Sequence, residues 1–225
     1  MCNPSGYPVL SHASWNIYNL KNLKSTLFIA IILFGSSALS RELSIIPMIG
    51  KSPIALSSSI ILVDDTLRIT AFKVYVSIPN SEKSINHILD IEEILTCSIP
   101  DEAETVIFGI DSMHTVNTDF TDALDPIHGM FWIWNSGYIN VKIEGISRKS
   151  IQKGNIFQIH LGGYLSPYST AFSIGIPRKA PIRMEMDLGP SIQAVLKQYG
   201  GTVMSPGKAG HELMTILQRS IKIVE

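Results

Sequence analysis

Thr66-Leu-Arg-Ile-Thr-Ala-Phe-Lys-Val-Tyr-Val76 decides the fold class. Apolar and polar residues alternate through its middle, the pattern of a strand with one face in a core. Working outward, further β-branched and aromatic runs follow between turn residues: 104–110, then 131–143 stopped by Glu144-Gly145, then 157–161 stopped by Gly162-Gly163. Residues 171–176 and 182–188 read as two more strands, with Pro177 and Pro181 between them. Residues 84–96 suit a short helix or a strand plus turn. Gly189-Pro-Ser191, followed by Ile-Gln-Ala-Val-Leu-Lys-Gln-Tyr199 and Gly200-Gly201, predicts a short helix. A second is expected over 207–217 and a last strand over 220–224. These lengths and turn spacings predict a mainly β chain, an antiparallel β-sandwich with a few short helices. No repeat or linker interrupts it, so residues 41–225 read as a single domain.

Composition narrows the function classes. Of 225 residues, 45% are hydrophobic and 16% charged, too apolar for a disordered chain. A formal net charge of -1 supplies no basic surplus for phosphates, which argues against a nucleic-acid binder. Residues 1–40 stand apart: they carry Lys21 and Lys24, no acidic residue, and the unbroken apolar run Leu27-Phe-Ile-Ala-Ile-Ile-Leu-Phe34. Small residues, Gly35-Ser-Ser-Ala-Leu-Ser40, follow it. That order reads as a secretory signal peptide cleaved near Ser40, and the run is short for a bilayer span. An uncleaved anchor and a buried helix are the alternatives. Cleavage predicts a periplasmic or secreted protein with no membrane span in the mature chain. It also removes Cys2, leaving Cys97 as a small buried hydrophobe or a free thiol.

Enzyme signatures are scarce. There is no Gly-x-Ser-x-Gly elbow, no phosphate-binding loop and no His-Glu-x-x-His, so the expectation is a binder and not an enzyme. Asp111, Asp119, Asp122 and Asp125 share one loop-like stretch, but their spacing is not that of an EF-hand, and a solvated acidic loop is the simpler reading. His87, His114, His128, His160 and His211 follow the signal segment. His160 interrupts an apolar strand, and His87 lies in Ser-Ile-Asn-His-Ile-Leu-Asp90. Each, taken singly, reads as a hydrogen-bonded core histidine, while two converging imidazoles with one more donor suit copper or zinc. Met130, Trp132 and Trp134 alternate along one strand and share a face, either as aromatic core or as a metal-adjacent surface.

The block Gly129-Met-Phe-Trp-Ile-Trp-Asn-Ser-Gly-Tyr-Ile139 is the most specific motif. Together with Leu124-Asp-Pro126, Lys142-Ile-Glu-Gly145, His160-Leu-Gly-Gly-Tyr164, His87-Ile-Leu-Asp90 and Met204-Ser-Pro-Gly207, in this order along most of the mature chain apart from the upstream His87 segment, it resembles the MbnP-like family of exported copper-binding proteins. The resemblance implies a β-sandwich outside the cytoplasm. It implies a mononuclear copper site from two histidines and a tryptophan oxidised to kynurenine, whose aniline-type nitrogen ligates where an indole N–H only donates. It further implies a MauG-like dihaem cytochrome as partner. By motif match His160 is the first ligand and His87 the second, with Trp134 and Trp132 the candidates for oxidation. Two departures from the family pattern stand out: Gly163-Tyr-Leu-Ser166 has no cysteine, and Glu82-Lys-Ser-Ile85 has no tryptophan.

Three functions are therefore weighed. The first is copper handling by an exported binder with copper on His87 and His160 beside the Trp132/Trp134 face. The second is a metal-free sandwich that presents aromatic residues to a protein or carbohydrate. The third, a metal-dependent enzyme built on the Asp111–Asp125 stretch, ranks last.

Overall fold

The computed structural model describes residues 40–79, 84–110, 120–133, 137–178 and 181–224. The signal-peptide expectation falls on residues outside these, as do Asp111, His114, Asp119 and Trp134. The chain is mainly β. Its strands are β1 (Ser40–Ile49), β2 (Ser52–Pro53), β3 (Ser59–Ile61), β4 (Thr66–Ile78), β5 (Ile85–Asp90), β6 (Thr96–Pro100) and β7 (Thr105–Phe108). They continue with β8 (Phe131–Trp132), β9 (Gly137–Ile146), β10 (Ile156–Gly162), β11 (Phe172–Gly175), β12 (Ile182–Asp187), β13 (Thr202–Val203) and β14 (Ile221–Val224). Among the described residues two α-helices, α1 (Gly189–Gln198) and α2 (Lys208–Arg219), fall where Gly-Pro and Gly punctuation places them. The ambiguous stretch 84–96 resolves as a strand plus turn. Among the described residues no helix is long and apolar enough to cross a membrane.

The strands form two sheets. The smaller runs β14-β12-β1-β2, with β6 also paired to β1, and the larger runs β11-β7-β4-β9-β10-β13, with β3 and β5 on β4 and β8 on β9. The expected antiparallel sandwich needs one amendment: β1 pairs β12 and β10 pairs β13 in parallel, so both sheets are mixed. Alternation along a strand sets its faces but not the direction of its neighbour, so these pairings are invisible in the pattern. One continuous core lies on the inner face, with Phe72, Val74, Val141, Phe157 and Ile159 from the larger sheet packed with Leu43, Ile45 and Met184 from the smaller. Ile192, Val195, Leu213 and Leu217 of the two helices join it. Each such side chain contributes about 1.5–3 kcal/mol on burial.

Long β4 organises the larger sheet. Val74 is opposite Val141 of β9 on one edge and Leu89 of β5 on the other. Across β9 and β10 the register slips once: Leu161 is opposite Val141 but Gly162 is opposite Ile139, leaving Asn140 as the extra residue of a bulge. The slip turns Ile139 to the outer face. A second cluster forms there from Tyr75, Ile110, Leu124, Met130, Trp132 and Tyr138 with Ile139. Asn140 is buried and bonded through both amide atoms: its Oδ1 accepts from the Ile110 amide at 3.0 Å and its Nδ2 donates to Thr170 Oγ1 at 2.8 Å. Cys97 is a buried residue of β6 whose thiol burial pushes up to about 12, the small-hydrophobe reading of that residue.

Candidate metal centre

A strap of two single-turn 3-10 segments, Asp122–Leu124 and Pro126–His128, crosses the outer face. Its sequence explains its shape. Asp125 accepts from the Ile127 amide at 2.8 Å as a cap, Pro126 follows in the first helical position, and Gly129 closes the turn in a left-handed conformation. Two buried phenols fasten it to the sheet: Tyr75 donates to the Ala123 carbonyl at 2.9 Å and Tyr138 to the Leu124 carbonyl at 3.2 Å. Their rings meet edge to face with centroids 5.7 Å apart.

The strap brings His128 to the end of β5. His128 Nε2 lies 3.0 Å from the Asp122 carbonyl, which can only accept, so Nε2 is the donor and Nδ1 is the nitrogen that bears the lone pair in the neutral ring. His87 and His128 line one cavity of about 490 Å³, together with Lys73, Asn86, Asp90 and Asp122. Among the described residues strand β5 pairs with β4 only. His87 Nε2 is buried and has no hydrogen-bond partner. Burial holds this imidazole below its ordinary value of 6.5, the backbone of Ser98 pulling the other way, which favours the neutral ring. Lys73 is engaged by Asp90 at 2.7 Å.

His160 occupies a different place. It pairs with Lys142 of β9, which pairs with Lys73 of β4, so all three share the outer face. His87 pairs with Val76, a core residue, and so belongs to the inner face. The two imidazoles sit on opposite faces of one sheet with β4 and β9 between their strands, roughly 14 Å apart from strand spacing alone. The expected pairing of His87 with His160 on one copper ion is therefore corrected: the structure does not bring them together. The sequence pattern fixed each residue's face within its own strand, and only the register shows that the faces differ.

His160 is instead tied to Glu144, its Nε2 donating to Oε1 at 2.6 Å, with Lys142 3.7 Å from the same carboxylate oxygen. The His160 bond holds the Glu144 carboxyl below its ordinary range against the opposing effect of burial, with Lys142 assisting. His160 Nδ1 is buried without a partner. The Trp132 ring lies against Gly162, two residues from His160 along β10: a Cβ at Gly162 would meet Trp132 Cζ3 at 2.6 Å. Trp132 and Met130 are both buried in the outer cluster, which places these two residues of the aromatic motif in core packing. Among the described residues no group of three or more His, Cys, Asp or Glu is placed to hold a metal.

His128 and Glu144 were the residues not singled out by sequence reasoning. The signal for His128 was available in Asp125-Pro126-Ile127-His128-Gly129, a cap, a helix-starting proline and a left-handed glycine around one imidazole. Glu144 carried no such signal, since its pairing with His160 depends on register.

A β-sandwich of mixed sheets with an imidazole-lined cavity at one strand edge is the class these features define. The MbnP family model matches residues 39–202, and the chain belongs to the MbnP family. Among solved structures it is similar to MbnP from Methylosinus trichosporium, at 13% identity over 68% of this chain and 77% of that one, with a TM-score of 0.49. No curated protein matches.

Proposed function

We propose that this protein is an exported copper-binding protein that handles copper and does not act as an enzyme, with His87 and His128 as the residues that hold the ion. The observation that carries the reading is that His87, whose Nε2 is a buried ring nitrogen with no hydrogen-bond partner, is among the residues that line one cavity with His128. An unpaired buried polar atom costs free energy, and a metal ion is a partner that repays it. The donor chemistry fits: a neutral imidazole at His87 and an Nδ1 lone pair at His128 suit a borderline metal. His128 has the supporting arrangement common to metal-binding histidines, its other nitrogen donating to a backbone carbonyl. Membership of the MbnP family favours copper over zinc, and the apolar run with its small-residue exit favours export to the periplasm or beyond. Bound copper supplies a Lewis-acidic, one-electron redox centre. Oxidation of a tryptophan to kynurenine by a MauG-like dihaem cytochrome is the accompanying proposal, with Trp134 or Trp132 as the residue altered. The test is titration of metal-free protein with Cu(I) in competition with a chromophoric chelator, with the intact mass measured on protein from its native compartment. One tight equivalent in the parent, lost in His87→Ala and weakened in His128→Ala, is expected. Tight binding unchanged in both variants rejects the site, and no binding by the parent rejects the function.

A further inference from the structure

We propose that the end of the sandwich remote from the strap is a docking face for an anionic lipid surface. Three segments meet there and are fastened to one another. The turn between β3 and β4 is tied to the loop after β9: Asp65 accepts from Ser147 Oγ at 2.5 Å and from the Arg148 amide at 3.0 Å, and Lys149 pairs with Asp64 at 2.6 Å. That loop is tied to the end of α1 by Gln152 Nε2, which donates to the Gly200 carbonyl at 3.1 Å. The turn and α1 enclose a cleft of about 460 Å³, lined by Leu62 and Leu196 with Lys149 and Lys197 and also by Asp64 and Asp65.

What this end presents to solvent is unusual. Tight turns favour Gly, Pro, Asn, Asp and Ser, yet here the tips carry β-branched apolar residues. Ile61, Val63 and Ile151 are 85%, 108% and 82% exposed. Around them stand Arg148, Lys153 and Lys197, all exposed and with no ion-pair partner among the described residues. Two carboxylates stand nearby, Asp64 paired with Lys149 and Asp65 held by three neutral donors including the Thr66 amide, while Glu212 on the flank is bonded to Tyr199 and Lys208. A near-neutral chain thus gathers Arg148, Lys149, Lys153 and Lys197 against Asp64 and Asp65 at one end, a net positive surface between protruding apolar tips.

That combination fits an anionic bilayer better than a protein. A protein interface has a contiguous, shape-matched apolar centre with charges depleted from it. Here the apolar residues stand on separate tips with cations between them, so each tip can enter the headgroup layer while the cations meet lipid phosphates.

The test uses the full chain with Cys2→Ser and Val63→Cys carrying an environment-sensitive fluorophore; Cys97 is buried and stays unlabelled. Phosphatidylcholine vesicles with and without phosphatidylglycerol are the probe surfaces. Emission is expected to shift to the blue on the anionic vesicles and not on the neutral ones, the shift fading with added salt. Lys153→Glu with Lys197→Glu should weaken vesicle affinity about a hundredfold to a thousandfold, since each reversal removes one attraction to the anionic leaflet and adds one repulsion. A fluorophore at Ile127→Cys on the strap should stay in water. Association carried by the apolar run 27–34 alone leaves the Val63 probe in water and overturns the proposal. Equal shifts on both vesicle types, equal shifts at 63 and 127, or affinity indifferent to the two charge reversals overturn it as well, as does a Val63 probe shifted only by a protein partner.

Discussion

Gly162→Ala should destabilise the protein by about 3 kcal/mol, the upper end of what overpacking one methyl group costs. The magnitude follows from what the added carbon meets. It falls on the Tyr138 carbonyl oxygen and within 2.6 Å of Trp132 Cζ3 and 2.9 Å of Cη2. Carbon pairs rest near 3.5–4.0 Å, so the indole must move by roughly 1 Å in a cluster where Met130, Tyr138 and Ile139 are also buried. The backbone oxygen cannot move without disturbing the bulge between β9 and β10. Thermal unfolding checks this: for a domain of this size about 2–4 °C is lost per kcal/mol, so the midpoint should fall by about 6–12 °C. A double-mutant cycle with Trp132→Phe separates the two contacts. The smaller ring vacates the space, so Gly162→Ala should cost only about 1–2 kcal/mol in that background, a coupling of about 1–2 kcal/mol. If Gly162→Ala costs less than about 0.5 kcal/mol, or the two substitutions are additive, Trp132 does not lie over Gly162 and the placement of the aromatic motif beside His160 fails.

Asn140→Ala removes both the acceptor for the Ile110 amide and the donor to Thr170, and a loss of about 2–4 kcal/mol in denaturant unfolding is expected, since each stranded buried partner costs about 1–3 kcal/mol. Acid stability should depend on the Glu144–His160 bond. Glu144 titrates below its ordinary 4.5 in the folded state, so the stability it supplies is fully present above that pH and is lost as pH falls through the folded value. The gap in stability between the parent and His160→Phe should therefore be widest near neutrality and narrow below pH 4.5, with the Glu144 carboxyl carbon titrating at higher pH in the variant by NMR. An unchanged Glu144 titration would show that the bond to His160 is not what depresses it.

The strand and helix elements were legible because each rests on local chemistry. Thr66–Val76 alternates, and α1 is bracketed by Gly189-Pro190 and Gly200-Gly201. The aromatic motif was legible as buried packing for the same reason, since Met130 and Trp132 sit two apart on one face. The expected continuous strand over 131–143 is interrupted, with β8 ending at Trp132 and β9 beginning at Gly137. What stayed hidden depends on register between strands distant in sequence. His160 was read as a residue needing a partner, but that the partner is Glu144 follows from the antiparallel pairing of β9 with β10. His87 and His160 looked equivalent because nothing local distinguishes a face that packs on Val76 from one that packs beside Lys142. The strap shows the same division: its turn chemistry is local, but that it lies against Tyr75 and sets His128 on the cavity of His87 is tertiary.

The central claim is that copper is held at the strand edge by His87 and His128, and not on the outer face by His160. Long-range proton–nitrogen NMR of the histidine rings, recorded as metal-free protein is titrated with diamagnetic Cu(I), reads the individual ring nitrogens directly. The account predicts that the resonances of His87 Nε2 and His128 Nδ1 shift in step up to one equivalent while both nitrogens of His160 stay where they are. A titration that moves the His160 ring and leaves His87 and His128 unchanged would contradict it.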